Sequence, residues 1–443
     1  MDKAKELRQR FFFPFIATII FICIIVVRTP RMYGSMPNLR GPQKTCPFQI
    51  SQQTITPLNN TKHLLVSTYM DQRVNGFDIR IIGIFRRDSI QPLHCLFCCA
   101  GYLSSTTTPA TISQHSDNFG FPFVTTDVMC QIPPNCNATH IALLTQPECA
   151  ILSNQIWLPI RNKNTNGKEA KKLQFNFTVC FSNLFGDYNN VLQFAQTLEM
   201  YRLLGVDRVV IYNTSCGPEL DRLLQTYSQE GFVEMVPWPI DKHLNPSRGW
   251  LFSEHGGDMH YFGQLTTLNE CIYRSMDRSR YVLLNDIDEI IMPYQHKNLM
   301  SLMSMLQQQH PNTGVFLIEN HIFPKKHFEP SGRFHLPQWR GVPGVNILEH
   351  IYKEEPDRNI YHPHKMIIQP RMVEQTSVHE VLKNFGQHFK VPPDVCRIIH
   401  VRVCLQGSLT LQQLHVDKRL WDFTGKLIPN VDKVLKRAGL LTS

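Results

Sequence analysis

Tyr281-Val282-Leu283-Leu284-Asn285-Asp286-Ile287-Asp288-Glu289-Ile290-Ile291-Met292-Pro293 runs four apolar residues straight into three carboxylates, then back into an apolar stretch. A buried carboxylate is costly unless it is paired or bound to a metal. Alternation in an extended segment puts Asp286 and Asp288 on one side. Hard cations such as Mg²⁺ and Mn²⁺ prefer such oxygen ligands and commonly complete their shell with phosphate oxygens. The segment therefore suits an ion bridging protein carboxylates to a diphosphate. An Asp-x-Asp alone is frequent by chance, so its setting decides its weight.

That setting reads as an α/β domain. Upstream, Phe175 to Phe181 predicts a strand, and Val191 to Leu204 has apolar residues at helical spacing ended by Gly205. Val209 to Tyr212 and Phe232 to Val236 predict further strands, with a helix over Glu219 to Glu230 between them. Gln264 to Ser275 predicts the helix that feeds the Tyr281–Leu284 strand. Strands alternating with helices imply a mainly parallel sheet, with ligands at the carboxyl ends of its strands.

The rest of the 443 residues reads in order from the start. Residues 1–10 form a basic tail, and Phe11 to Val27 is an uncharged apolar run of about 17 residues, short but sufficient for a membrane anchor. No small-residue cleavage site follows it, which favours an uncleaved type II anchor over a signal peptide. Residues 28–60 are rich in Pro and Gly and predict a stem. Residues 61–165 show short strand-like runs split by Ser, Thr, Pro and Asn clusters, predicting a small β-rich domain. Residues 172–430 hold the α/β domain. Four sequons, at Asn59, Asn137, Asn176 and Asn213, suit lumenal exposure. Twelve of the 13 cysteines follow the apolar run, an even number that reads as disulfides in an oxidising compartment. A zinc site at Cys95, Cys98 and Cys99 lacks a second ligand pair. The net charge of +9 suits nucleotide phosphates or mere solubility, and no nucleic-acid partner is indicated.

Several stretches in order resemble glycosyltransferase family 92. These are Cys180-Phe181-Ser182-Asn183-Leu184-Phe185-Gly186, Tyr201 to Asp207, Val210-Ile211-Tyr212-Asn213 and Trp238-Pro239. Asn269-x-Cys271-x-Tyr273-Arg274, Asp286-Ile287-Asp288-Glu289, Met366 to Pro370 and Ser377-Val378-His379-Glu380 follow. His400-Val401-Arg402 departs from the family's His-Tyr-Arg pattern. The resemblance implies a GT-A fold, a UDP-sugar donor, a Mn²⁺-type cofactor and a single-pass Golgi enzyme. Activities in that family include inverting β-1,4-galactosyl transfer onto glycoprotein glycans, so UDP-galactose is the expected donor.

Carried over residue by residue, Asp286 and Asp288 hold the metal with His379 as third ligand. Ser182, Asn183 and Asn213 line the uridine side, and Arg274 pairs with the diphosphate. Inversion needs a base for the acceptor hydroxyl, and Glu319, Asp258 and Glu254 are the candidates. Trp250 and Trp339 are candidates for stacking on a sugar. The alternative is a membrane-tethered, glycan-binding pseudoenzyme. A two-metal phosphodiesterase would want histidines clustered around residue 286, and they are not.

Overall fold

The computed structural model describes residues 45–46, 49–147, 155–163, 173–357, 359, 363–404, 406–407 and 409–441. The predicted tail and anchor lie outside them, and among the described residues no helix is long and apolar enough to cross a membrane.

The α/β domain is built on one nine-stranded sheet. Its path runs Val233–Pro237, Arg208–Asn213, Phe175–Leu184, Ser279–Asn285, His364–Ile368, Thr313–Pro324, Cys396–Arg402 and Glu289–Pro293, and Gln387–Lys390 pairs onto Thr313–Pro324. The first four strands are parallel, as the strand and helix alternation implies. The sheet is mainly parallel, as expected, because Thr313–Pro324 also pairs parallel with Cys396–Arg402 and Gln387–Lys390, but it is mixed. His364–Ile368 enters antiparallel to both its neighbours, and Glu289–Pro293 runs antiparallel to Cys396–Arg402. The long excursion from Thr313–Pro324 to His364–Ile368 frees that pair from the right-handed crossover that imposes parallel pairing.

Alternation along the strands splits the core. Phe177, Val179 and Phe181 face the helices Val191–Leu203 and Thr424–Arg437, whereas Cys180, Val210 and Leu284 face the helix Gln264–Met276. A Cys180–Cys271 disulfide locks that helix to the strand beneath it.

Ahead of this domain, two five-stranded antiparallel sheets pack over Ile79, Phe85, Phe97 and Val128. Cys46–Cys98, Cys95–Cys130 and Cys99–Cys136 staple them, so the Cys95, Cys98 and Cys99 thiols are spent on disulfides and not on zinc. Among the described residues Cys216, Cys396 and Cys404 are in no disulfide, which corrects the reading that the cysteines after the apolar run pair. The predicted stem also ends too late. Cys46 is bonded into the β domain and Thr56–Pro57 is already a strand. Residues from Thr45 onward form one unit, in which Tyr69, Ile82, Tyr273 and Met276 pack the β domain onto the Gln264–Met276 helix.

Candidate active site

The acidic segment is the turn between two strands, Ser279–Asn285 and Glu289–Pro293. Tyr201, buried on the Val191–Leu203 helix, clamps that turn. Its hydroxyl donates to the Glu289 carbonyl (3.0 Å) and accepts from Asn285 Nδ2 (2.6 Å) and the Ile291 amide (3.0 Å). Glu289 Oε2 accepts the Asp286 amide at 2.9 Å, so Glu289 closes the turn from within.

The later strands bring two basic residues against it. Lys365 Nζ lies 2.8 Å from Asp286 Oδ2 and 3.6 Å from Glu289 Oε2. His400 stands opposite Glu289 in the antiparallel register, with Nε2 3.3 Å from Asp288 Oδ2 and Nδ1 3.3 Å from Glu289 Oε1. Asp286 and Asp288 keep 34% and 28% of their side chains open to solvent, while Glu289 keeps 1%. Burial opposes ionisation of Asp288, but His400 outweighs it and holds the carboxyl down at about 2. Burial likewise opposes ionisation of Asp286, and the Lys365 ammonium more than offsets it. Glu289 is pushed above the usual range, first by burial and then by Asp286 and Asp288, against Lys365 and His400. Burial would lower His400, yet Asp288 and Glu289 raise it.

Behind the segment stands a strained turn. Tyr261, Phe262 and Gly263 take φ of 33°, 52° and 84°, the left-handed region that disfavours the first two. Asn183 Nδ2 donates to the Tyr261 and Phe262 carbonyls (3.0 and 2.9 Å), and Trp238 Nε1 to the latter at 2.7 Å. The next residue is Gln264, whose Nε2 donates to Ser182 Oγ (3.2 Å) and Asp286 Oδ1 (3.1 Å). The strained turn thus aims the helix's first side chain at the acidic segment.

Of the predicted residues, Ser182, Asn183, Asp286 and Asp288 converge here. His379 belongs to the same face. Its ring lies 5.7 Å from Trp250, Asp286 acts on its protonation, and its Nδ1–H donates to the His364 carbonyl at 3.1 Å. Asn213 ends its strand with Nδ2 turned onto Cys216 Sγ (3.6 Å).

Other assignments are corrected. Arg274 is ten residues along the helix from Gln264, about 15 Å, and its guanidinium is held by Glu270 and Glu234. Glu319 pairs in register with His364, so alternation sends it to the face opposite Lys365. There it is 3% exposed and bonded to His321 at 3.0 Å. Asp258 accepts the Asn245 amide at 2.7 Å and serves its own loop. Glu254 is an exposed residue of the short 252–255 helix. Trp339 is buried with Nε1 on Asp432 of the C-terminal helix, 2.6 Å away. Lys365 and His400 were missed as site residues. Lys365 sits beside Met366, where the quoted pattern begins, and His400 lies in a quoted pattern, but only the pairing register shows what they face.

The two carboxylates, each about one third exposed, fit a divalent ion that finds the rest of its shell in phosphate and water. They do not build a closed centre. Among the described residues no three Asp, Glu, His or Cys side chains gather closely enough to hold a metal, so the expected His379 ligation is not assembled.

An α/β sheet presenting such a segment at a strand's carboxyl end defines an enzyme-like domain of the open-sheet class. The chain belongs to glycosyltransferase family 92, whose family model matches residues 175–435. It is similar to glycosyltransferase family 92 protein F13G3.3 of Caenorhabditis elegans, 24% identical over 231 residues, 51% of this chain and 41% of that protein. It is also similar to beta-1,4-galactosyltransferase galt-1 of the same organism, 21% identical over 193 residues, 42% of each chain. The chain thus spans about two fifths of the length of these curated relatives. Among solved structures, Staphylococcus aureus TarS 1-349 overlaps 44% of this chain and 47% of its own at 15% identity. Its TM-score of 0.25 establishes no shared fold.

Proposed function

We propose that this chain is a GT-A-type inverting glycosyltransferase that moves a hexose from a UDP-sugar to a terminal sugar of a glycoprotein glycan. The observation that carries the reading is the partly exposed Asp286-Ile287-Asp288 segment at the end of a central strand, in a family 92 chain. Galactose is the leading donor sugar because one relative is named a β-1,4-galactosyltransferase. Exposed Asn59, Asn137 and Asn176 and four disulfides support a lumenal setting, with residues 11–27 as a Golgi anchor.

In this reading the acceptor oxygen attacks the anomeric carbon as its bond to the diphosphate breaks. A divalent cation of the Mn²⁺ kind on Asp286 and Asp288 would offset the charge on the leaving group. Lys365 and His400 hold those carboxylates ionised and in place. With Glu319 and Asp258 turned elsewhere, His379 takes the acceptor proton. Burial and then the Lys365 ammonium lower its pKa to about 4, so the ring is neutral at pH 7.

The test uses purified full-length chain, UDP-galactose, a panel of glycan acceptors and a Mn²⁺ titration. Galactosyl transfer is expected, and His379→Ala lowers kcat while the half-saturating Mn²⁺ concentration stays put. A shifted metal titration makes His379 a ligand instead of the base. No UDP release from UDP-galactose at any Mn²⁺ concentration sinks the transferase in favour of the tethered glycan-binding protein.

A further inference from the structure

His260 is the most anomalous polar side chain near the acidic segment. It is 4% exposed, and neither ring nitrogen has a hydrogen-bond partner. A buried, unsatisfied polar group costs about 1–3 kcal/mol, and phenylalanine would fill the same space without that cost. Its surroundings are aromatic. Phe119 stacks on it at 4.4 Å, while Tyr261 and Trp250 meet it edge-on at 4.8 and 4.9 Å. Phe119, Trp250 and Tyr261 are themselves only half buried, and Trp250 also stacks on His379 at 5.7 Å.

Phe119 comes from the β domain, outside the region matched by the family model. It is held in the left-handed region at φ 51°, a strained conformation for a bulky residue. Its carbonyl accepts the Phe252 amide at 3.1 Å, and Asn118 Oδ1 caps the Gly120 amide at 3.0 Å. Asp117 of the same loop is hydrogen-bonded by the Ser377 hydroxyl, two residues before His379. The loop is therefore fixed both to the Trp250 segment and to the His379 segment.

We propose that Phe119, Trp250 and Tyr261, gathered round His260, form the subsite for the acceptor sugar, with Phe119 contributed by the β domain. The inference rests on the glycosyl-transfer reading. A pyranose fits the chemistry. Its C–H faces carry partial positive charge and pack on aromatic faces, and its hydroxyls give the His260 nitrogens the partners they lack. Arg87 flanks the cluster, donating to Asn118 Oδ1 (3.3 Å) and the Gly120 carbonyl (3.2 Å), and Arg402 acts on the Tyr261 hydroxyl, so UDP is the competing ligand that the test must separate. A sugar seated against Trp250 lies beside His379, where its hydroxyl loses the proton.

The test compares wild type, Phe119→Ala and His260→Phe as purified full-length chains. Saturation-transfer NMR reads binding of the methyl glycosides of galactose, fucose and N-acetylglucosamine, and calorimetry reads binding of UDP. The wild type is expected to bind at least one glycoside, and each variant to lose about tenfold or more of that affinity with UDP affinity unchanged. His260→Phe is also expected to melt above the wild type, because an unsatisfied imidazole has gone. Variants that bind glycosides like the wild type, or a wild type that binds none, overturn the proposal. So does a fall in UDP affinity, which assigns the cluster to the nucleotide base. A wild type that binds a glycoside through these rings but neither binds UDP nor releases it from UDP-galactose keeps the subsite and removes the transferase reading.

Discussion

Asp286, Asp288 and Glu289 stand at a strand end where two of the three carboxylates meet solvent, whereas Asp71, Asp127 and Glu270 lie sealed between the β domain and the α/β domain. Each set is matched by basic residues, but the matching differs. Glu270 accepts from Tyr69 at 2.6 Å, from Tyr212, and from Arg274 at 2.9 and 3.0 Å, so both its oxygens are fully engaged. Arg80 reaches Asp71, Asp127 and Glu374 at once. Both sets leave buried polar atoms without hydrogen-bond partners: Gln264 Oε1, Asn285 Oδ1 and both His260 nitrogens around the acidic segment, and Asp127 Oδ1 with His115 Nδ1 in the sealed set. What separates the two sets is exposure: Asp286 and Asp288 keep 34% and 28% of their side chains open to solvent, where a ligand can reach them, whereas Asp71, Asp127 and Glu270 keep 1% or less and hold architecture together.

The comparison breaks first at Glu270. Replacing it with alanine leaves Arg274 to Glu234 alone and strands the Tyr69 and Tyr212 hydroxyls in the interior, for an expected loss of about 3–5 kcal/mol in urea unfolding of the full chain. A loss below about 1 kcal/mol means that the sealed network is not structural.

Acid sharpens the same contrast. Burial would raise Glu270 and Asp127, but Arg274 in one case, and His115 and Arg80 in the other, hold each at about 2. Both folded values lie below the unfolded ones of about 4. Their contribution is therefore complete above about pH 4 and is lost as pH falls through about 2. Urea midpoints measured from pH 6 to pH 2 should fall in that lower window, and Glu270→Gln should flatten the fall. A midpoint independent of pH there removes the network from the stability account.

The smallest effect is expected at Gly263, whose φ is +84° and whose Cβ would meet Met259 Cε at 2.9 Å. Gly263→Ala should cost about 1–2 kcal/mol and slow transfer by re-aiming Gln264. Unchanged turnover would separate the strained turn from the site.

The parallel half of the sheet was legible because its helices carry the 3.6 period and end at Gly205 and Gly231, both with positive φ. The mixed half was not. Its strands pair out of chain order, and pairing between distant strands leaves no local period. The acidic segment announced itself by three carboxylates after a buried strand. Its cations stayed hidden for the same topological reason, since Lys365 and His400 reach it only through strand register. The Asn269 to Arg274 stretch, quoted for its family likeness, turns out architectural. Asn269 holds the Thr376 backbone, Cys271 bonds Cys180, and Arg274 serves Glu270. A family pattern marks what must be kept, whether for chemistry or for packing, and only the structure separates the two.

The most direct test of the central claim is Asp288→Asn, read twice on the full-length chain. The expected result is UDP-sugar turnover reduced by about a hundredfold or more, the scale of losing one charge-stabilising group, with a urea midpoint close to that of the wild type. Turnover like the wild type's, in a protein of normal stability, would contradict the assignment of the donor site to Asp286-Ile287-Asp288.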